Sequence, residues 1–278
     1  MALFGSQLYV AFDASSVSAA AVGAGARGRR ARSFHRVALG PGALSPSPSA
    51  ANLAEGEEVR RAIRRSVEGA APAANRAVLV LPDGVARIVL VDVPEGAEAR
   101  EFVRFRVGPS LPWPASETIV DVLPAGPGRV VGAAVGRATV AEYEQTARGA
   151  GLEVDRVHLA PLLSLAALLR AGIRDGVHVV LGDVALCLFC FRAGELAVVR
   201  SRRRDRSLGE AARLVDEASR SAAFSGDGNG RPRVSLHGSG AALLRHEGAL
   251  ATAPEGGLHA PEGWPDAAET AWLAGVLS

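Results

Sequence analysis

The order of apolar runs along the chain predicts a mixed α/β protein, built either as two packed lobes or as one large α/β domain. Three observations point there. Short strand-like apolar runs alternate with amphipathic helical segments over the whole sequence. Two separate regions open with a strand that ends in a polar turn and continues as a hairpin. A chain of 278 residues, 48% hydrophobic and 22% charged, supplies a core large enough for either arrangement.

The first region begins with the strand Gln7 to Asp13, which ends in a carboxylate followed by Ala14, Ser15 and Ser16. Val17 to Val22 reads as a second strand and, after a Gly/Arg-rich turn, Ser33 to Leu39 as a third. Pro, Ser and Gly mark 40–51 as loop. Glu55 to Val67 then has helical spacing, with Val59, Ile63 and Val67 on one face and arginines on the other. Ala77 to Leu81 has the continuous apolar character of a strand buried on both faces.

The turn Pro82-Asp-Gly84 opens a smaller unit. Its strand Ala86 to Val93 is broken by Pro94, Glu98 to Val107 is a helix, and the chain passes through Leu111-Pro-Trp-Pro114. Two strands, Glu117 to Leu123 and Val130 to Val135, lead to a helix capped by Thr139 and ended by Gly151. Beyond it, Arg156 to Leu159 is a strand and Pro161 to Arg170 a helix with proline at its start. Val177 to Phe191 and Glu195 to Ser201 form an apolar hairpin turned at Ala193-Gly194, and Ser207 to Phe224 is an amphipathic helix. The strand Arg233 to His237 meets Gly238-Ser-Gly240 and a helical start at Ala241 to Arg245, a geometry suited to anions. The Pro/Gly-rich stretch 249–266 reads as loop, and Ala267 to Val276 as a closing helix.

Composition excludes several function classes. The net charge of +2 is too small for a nucleic-acid-binding protein, and no apolar run reaches the length of a membrane span. The N-terminus lacks the charged and apolar regions of a signal peptide, which predicts a cytoplasmic protein. The chain contains no lysine, so P-loop and Schiff-base chemistry are absent. The six histidines form no H-E-x-x-H pair, and Ser239 does not sit in a G-x-S-x-G elbow. Neither a catalytic residue nor a metal site is expected. The two cysteines, Cys187 and Cys190, fall three apart on a strand and so point to opposite faces, as small buried apolar residues do. The arginines at 200, 202, 203, 204 and 206 have two readings: a solvated face, or a surface for phosphate or acidic protein.

Two hairpin sheets, each opening with a strand and a polar turn, together with a late strand-Gly-x-Gly-helix, resemble the organisation of the actin, Hsp70 and hexokinase group. A doubly wound dinucleotide fold is set aside because the glycines between Gly23 and Gly28 open no helix. Within the group the chain resembles the PilM family of type IV pilus assembly proteins, related to the cell-division protein FtsA. The motifs that carry this run in order from Leu81-Pro-Asp83 and Pro94 through the helix reaching Leu111-Pro-Trp-Pro114. Glu117, Asp121, Gly132-Ala-Ala-Val135, Tyr143 and Ala150-Gly-Leu152 complete the series. The resemblance implies a two-lobed actin/Hsp70-like (ribonuclease H-like) α/β fold with a small inserted α+β subdomain. It places the first lobe at 1–81, the insertion at 82–155, a return to the first lobe or a hinge helix at 156–176, the second lobe at 177–248, and a loop and closing helix at 249–278.

In that group, carboxylates and glycines on two hairpin turns hold the nucleotide's phosphates and metal, and a third glycine-rich turn holds the adenosine. The resemblance therefore names Asp13, Ser15, Ser16, Gly182, Asp183, Gly238, Ser239 and Gly240 as nucleotide-binding residues if ATP with Mg²⁺ is retained. Asp13 is equally readable as a turn-capping aspartate. The pattern is altered. The glycine after Asp13 is missing, and the Asp-x-Gly of the second turn reads Val180-Leu-Gly182, with Asp183 one residue beyond. An apolar residue cannot hold a metal's water shell, so weak or absent nucleotide binding is expected.

The function implied is a cytoplasmic scaffold, held at the inner membrane by the N-terminal tail of a PilN-like membrane protein. The family's peptide groove lies between insertion and first lobe, and Arg104, Val107, Leu111 and Trp113 are its candidates here; a Trp113 that packs the subdomain is the other reading. Contact with a pilus motor ATPase and a homo-oligomer are admitted. The alternative is an active ATPase or kinase of the actin-like superfamily. A scaffold of type II secretion or cell division shares the architecture, but Ala267 to Ser278 lacks the basic amphipathic character of the division protein's membrane tail.

Overall fold

The computed structural model describes residues 6–25, 28–204, 209–224, 234–238 and 271–277. Strand β1 (Gln7–Asp13) pairs antiparallel with β2 (Ser16–Gly25), which pairs with β3 (Gly28–Ala38). β4 (Arg76–Leu81) lies parallel to β1 on its other side, and β8 (Glu153–Leu159) parallel to β4, giving a five-stranded sheet of order β3-β2-β1-β4-β8. The alternation of side chains explains why both of its faces are covered. Leu8, Val10, Phe12, Leu79 and Leu81 face helices α1 (Gly56–Ala70) and α3 (Arg137–Gly149). Tyr9, Ala11, Val78 and Val80 face Trp272, Leu273 and Val276 of the last described helix, α6 (Ala271–Leu277).

A three-stranded sheet is inserted between β4 and β8. β7 (Arg129–Gly136) is its centre, flanked by β5 (Ala86–Asp92) and β6 (Thr118–Pro124). Helix α2 (Ala99–Val107) starts where the Glu98 carboxylate accepts bonds from the amides of Arg100 and Glu101, and it packs Val103 and Val107 onto one face of this sheet. A side chain at Gly132 would collide with Val103, so this glycine lets helix and sheet approach. Short 3₁₀ turns at Gly108–Ser110 and Ala115–Glu117 flank the Pro-Trp-Pro segment.

The third sheet has the order β11-β10-β9-β12, from β9 (Gly176–Leu181), β10 (Ala185–Arg192), β11 (Glu195–Arg203) and β12 (Val234–His237). The apolar run Val177 to Phe191 is thus two strands, because Gly182 to Val184 turn the chain; the hairpin predicted here is a three-stranded meander like that of β1 to β3. Leu214 and Ala218 of α5 (Glu210–Phe224) cover one face, together with Cys190. Cys187 lies on the other face with Phe189 and Phe191, against Leu165 and Leu168 of α4 (Ala160–Arg170). The two cysteines form no disulfide and are buried, on opposite faces as their spacing predicts. Helix α4 is apolar nearly all round because it touches the core of the third sheet on one side and α6 on another.

Three local expectations change. Thr139 is not the cap of α3: the helix follows Gly136 directly, without a side-chain cap bond, and Thr139 is buried in its first turn. β8 begins at Glu153 rather than Arg156; its polar residues Glu153, Asp155 and Arg156 belong to a sheet edge and hide the strand pattern. The loop at 40–51 is anchored rather than loose. Buried Asn52 takes the Ser47 amide (2.9 Å) on its side-chain oxygen and donates to the carbonyls of Ser47 (3.0 Å) and Ala50 (2.8 Å). The expected helical start at 241–245 and the loop at 249–266 lie outside the described residues.

Candidate functional site

Two concave regions meet around α4. The first lies between the turn that ends β1 and the turn that ends β9, where the sequence places its nucleotide-binding candidates. The Asp13 Oδ1 atom accepts from the amide of Ala14 (2.8 Å) in its own turn and from the amide of Asp183 (3.2 Å) in the other. Asp183 returns the bond, its Oδ2 accepting from the amide of Ser15 at 3.0 Å. Each turn therefore caps the other with a carboxylate. The Ser16 hydroxyl accepts from Arg36 Nε at 2.9 Å.

The second turn is fixed from behind. Arg204, whose side chain is 1% exposed, grips both carboxylate oxygens of Glu210 at 2.8 Å and donates to the Gly182 carbonyl at 2.8 Å. A bidentate pair removed from water holds geometry well, because both charges lose heavily if separated. Asp83 comes in from the start of the insertion and is 6% exposed. Its Oδ1 sits where a side chain at Gly182 would be, and its Oδ2 has no hydrogen-bond partner among the described residues. Burial, and secondarily the charge of Asp13, pushes the Asp83 carboxyl well above the usual carboxylate range. Gly238 closes the arrangement. Its φ of 95° is in the left-handed region, and a side chain there would collide with the backbone of Leu181. Ser239 and Gly240 lie outside the described residues.

The cavity left between these turns has a volume of about 50 Å³. Sites for small ligands run to about 300–1,000 Å³. The amides of Ser15 and Asp183, which would face a phosphate, are engaged by the protein's own carboxylates, and Val180 and Leu181 present apolar side chains. In this arrangement the two turns do not fit a phosphate chain with its metal. Among the described residues, no group of three or more His, Cys, Asp or Glu side chains is placed to hold a metal ion.

The second region is open. Strand β6 is an edge of the inserted sheet and β8 an edge of the five-stranded sheet, and the two flank a groove of about 400 Å³ floored by α4. Its walls are apolar: Leu81, Ile119, Leu123, Ala133, Val135, Leu159 and Leu162. Asp121, His158 and Arg170 stand among them. Burial holds the His158 imidazole below its ordinary range, with Arg156 adding to the effect. Arg170 donates to the carbonyl of Gly275 at 2.7 Å, tying α4 to α6 at the groove's end.

The four residues predicted for a groove do not line this one. Arg104 pairs with Glu101 on the outside of α2, and Val107 is buried beneath that helix. Leu111 packs against the same core. Trp113 is half-buried against Gly136, its Nε1 donating to Thr118 Oγ1 at 3.0 Å. None of them lines the groove, because α2 covers the face carrying Val91, Val120 and Ala134 while Ile119, Ala133 and Val135 face the other way. The period-two alternation of β6 and β7 is the signal that finds these lining residues.

No family model matches the sequence, and no curated protein matches it. Comparison with solved structures is decisive for the fold. A chain of the PilM–PilN type IV pilus biogenesis complex superposes with a TM-score of 0.70 at 18% identity, over 99% of this chain and 98% of that one. The chain has the actin-like ATPase fold. A Bacteroides thetaiotaomicron protein described as having that fold, of unknown function, matches at a TM-score of 0.56 and 11% identity, covering 89% of this chain and 90% of that one. The cytoplasmic domain of EpsL, an inner-membrane component of the type II secretion system of Vibrio cholerae, matches at 0.51 and 12% identity, covering 94% and 91%. The two-lobed actin-like fold expected from the motif series is the fold observed.

Proposed function

We propose that this chain is a scaffold of a type IV pilus, or related secretion, inner-membrane assembly complex. The groove between β6 and β8 receives an extended peptide from the N-terminus of a PilN-like membrane protein. The observation that carries this reading is that groove: apolar, about 400 Å³, and bordered by two edge strands whose outer backbone groups pair with no other strand among the described residues. Such edges bind extended peptides through main-chain hydrogen bonds, and apolar pockets beside them take alternate side chains. The full-length superposition on a chain from a PilM–PilN complex supports the choice of partner. Among the described residues no helix is long and apolar enough to cross a membrane, which accords with attachment through a partner. Nucleotide binding is weak or absent in this reading, because the phosphate turns cap each other. Titration with a peptide copied from the first residues of the PilN-like protein should give saturable binding that Leu162→Glu abolishes. Absence of binding at high micromolar peptide contradicts the proposal.

A further inference from the structure

A second cleft, separate from both regions above, runs between β5 and β11. Among the described residues each is the edge strand of its sheet and pairs with no strand on its outer side. The space between them is about 580 Å³. Ile88, Leu90 and Val198 give it an apolar lining, and its charges are unbalanced. Four arginines border it, Arg87, Arg129, Arg200 and Arg202, against two carboxylates, Asp92 and Glu217. Each carboxylate has an arginine neighbour. Arg202 holds Glu217 through Nη2 at 2.6 Å, and Arg129 Nε lies 2.9 Å from Asp92. Arg87 and Arg200 are exposed and have no carboxylate partner among the described residues.

The structure thus divides the arginine cluster that the sequence leaves with two readings. Arg204 is buried and structural, and Arg202 is paired, but Arg200 borders the same cleft as Arg87 with no carboxylate partner among the described residues. We propose that this cleft binds an extended acidic segment of a partner protein, whose carboxylates meet Arg87 and Arg200 while its intervening apolar side chains rest on the lining. Three features select that chemistry. Guanidinium groups form paired hydrogen bonds with carboxylates. Two edge strands offer unpaired main-chain groups to an extended chain. The apolar residues between the arginines suit a peptide with alternating side chains and do not suit a phosphate backbone, which presents charge at every step.

The proposal stands apart from the peptide groove, so the two are tested separately. The probe is a fluorescein-labelled octapeptide of alternating Glu and Val, followed by anisotropy at low salt. Saturable binding at micromolar concentration is expected. It should weaken at least tenfold in the Arg87→Glu/Arg200→Glu variant and persist in Leu162→Glu. The milder Arg87→Gln/Arg200→Gln variant, with an unchanged circular dichroism spectrum, should lose affinity in the same direction. No saturable binding, undiminished affinity in both double variants, or tighter binding of a single-stranded oligonucleotide overturns the proposal.

Discussion

The two regions that flank α4 differ in who occupies them. Between the turns after β1 and β9, the polar groups that face inward are largely satisfied by the protein itself, and the space is about 50 Å³. Between β6 and β8, two strand edges face a groove of about 400 Å³ with apolar walls. A chain with the actin-like ATPase fold thus has its turns after β1 and β9 latched and a different surface open. Helix α4 contributes Ala160 and Ser164 to the first and Leu162, Leu163 and Ala166 to the second.

Removing the latch should destabilise the closed side. Asp13→Ala and Asp183→Ala should each cost about 2 kcal/mol, as hydrogen bonds to charged groups do, and the double variant should fall short of the sum because each carboxylate serves the other's turn. Chemical denaturation of the four proteins measures this. Additive losses would show that the two bonds act independently.

Acid should loosen the closed side next. His178 stacks on His237 in the third sheet, the rings 5.5 Å apart, and burial lowers the His178 pKa from 6.5 to about 4. A lowered histidine pKa means the folded state holds the ring neutral. Its contribution is fully present above the unfolded pKa near 6.5 and is lost as pH falls toward 4. At about 1.4 kcal/mol per pH unit, the loss amounts to about 3 kcal/mol at most, so stability curves measured from pH 7 to 4 should flatten in His178→Phe.

On the open side, Leu162→Glu should reduce peptide affinity at least 100-fold, about 2.7 kcal/mol, with little change in Tm because the side chain is only partly covered. An unchanged affinity would place the peptide elsewhere. The smallest effect belongs to the nucleotide: millimolar Mg-ATP should move Tm by less than about 1 °C, since a ligand that does not bind the folded state adds no stability.

Much of this was legible in the sequence, for identifiable reasons. β1 and β4 are buried on both faces, so their apolar runs are continuous and their boundaries fall where expected. Asp13, Gly182, Asp183 and Gly238 are marked by local turn chemistry. Their mutual arrangement is not, because the Asp13–Asp183 bonds join residues about 170 positions apart. Asp83 is read as a turn residue and as part of the motif Leu81-Pro-Asp83, and nothing near it in sequence reveals that its carboxyl would be buried against Gly182. The lining of the groove between β6 and β8 is hidden in the sequence for another reason. Arg104 to Trp113 combine apolar and basic residues in the manner of a binding segment, yet α2 uses its apolar side to cover the inserted sheet. The lining of the groove comes from strands of two sheets and one helix, a juxtaposition that only the topology supplies.

The central claim is that the ligand of this chain enters the groove and not the space between the lobes. Calorimetric titration of the full chain, first with the N-terminal peptide of the PilN-like protein and then with Mg-ATP, tests it directly. Saturable heat from the peptide and none beyond dilution from Mg-ATP is the predicted result. Tight Mg-ATP binding with no response to the peptide would contradict it.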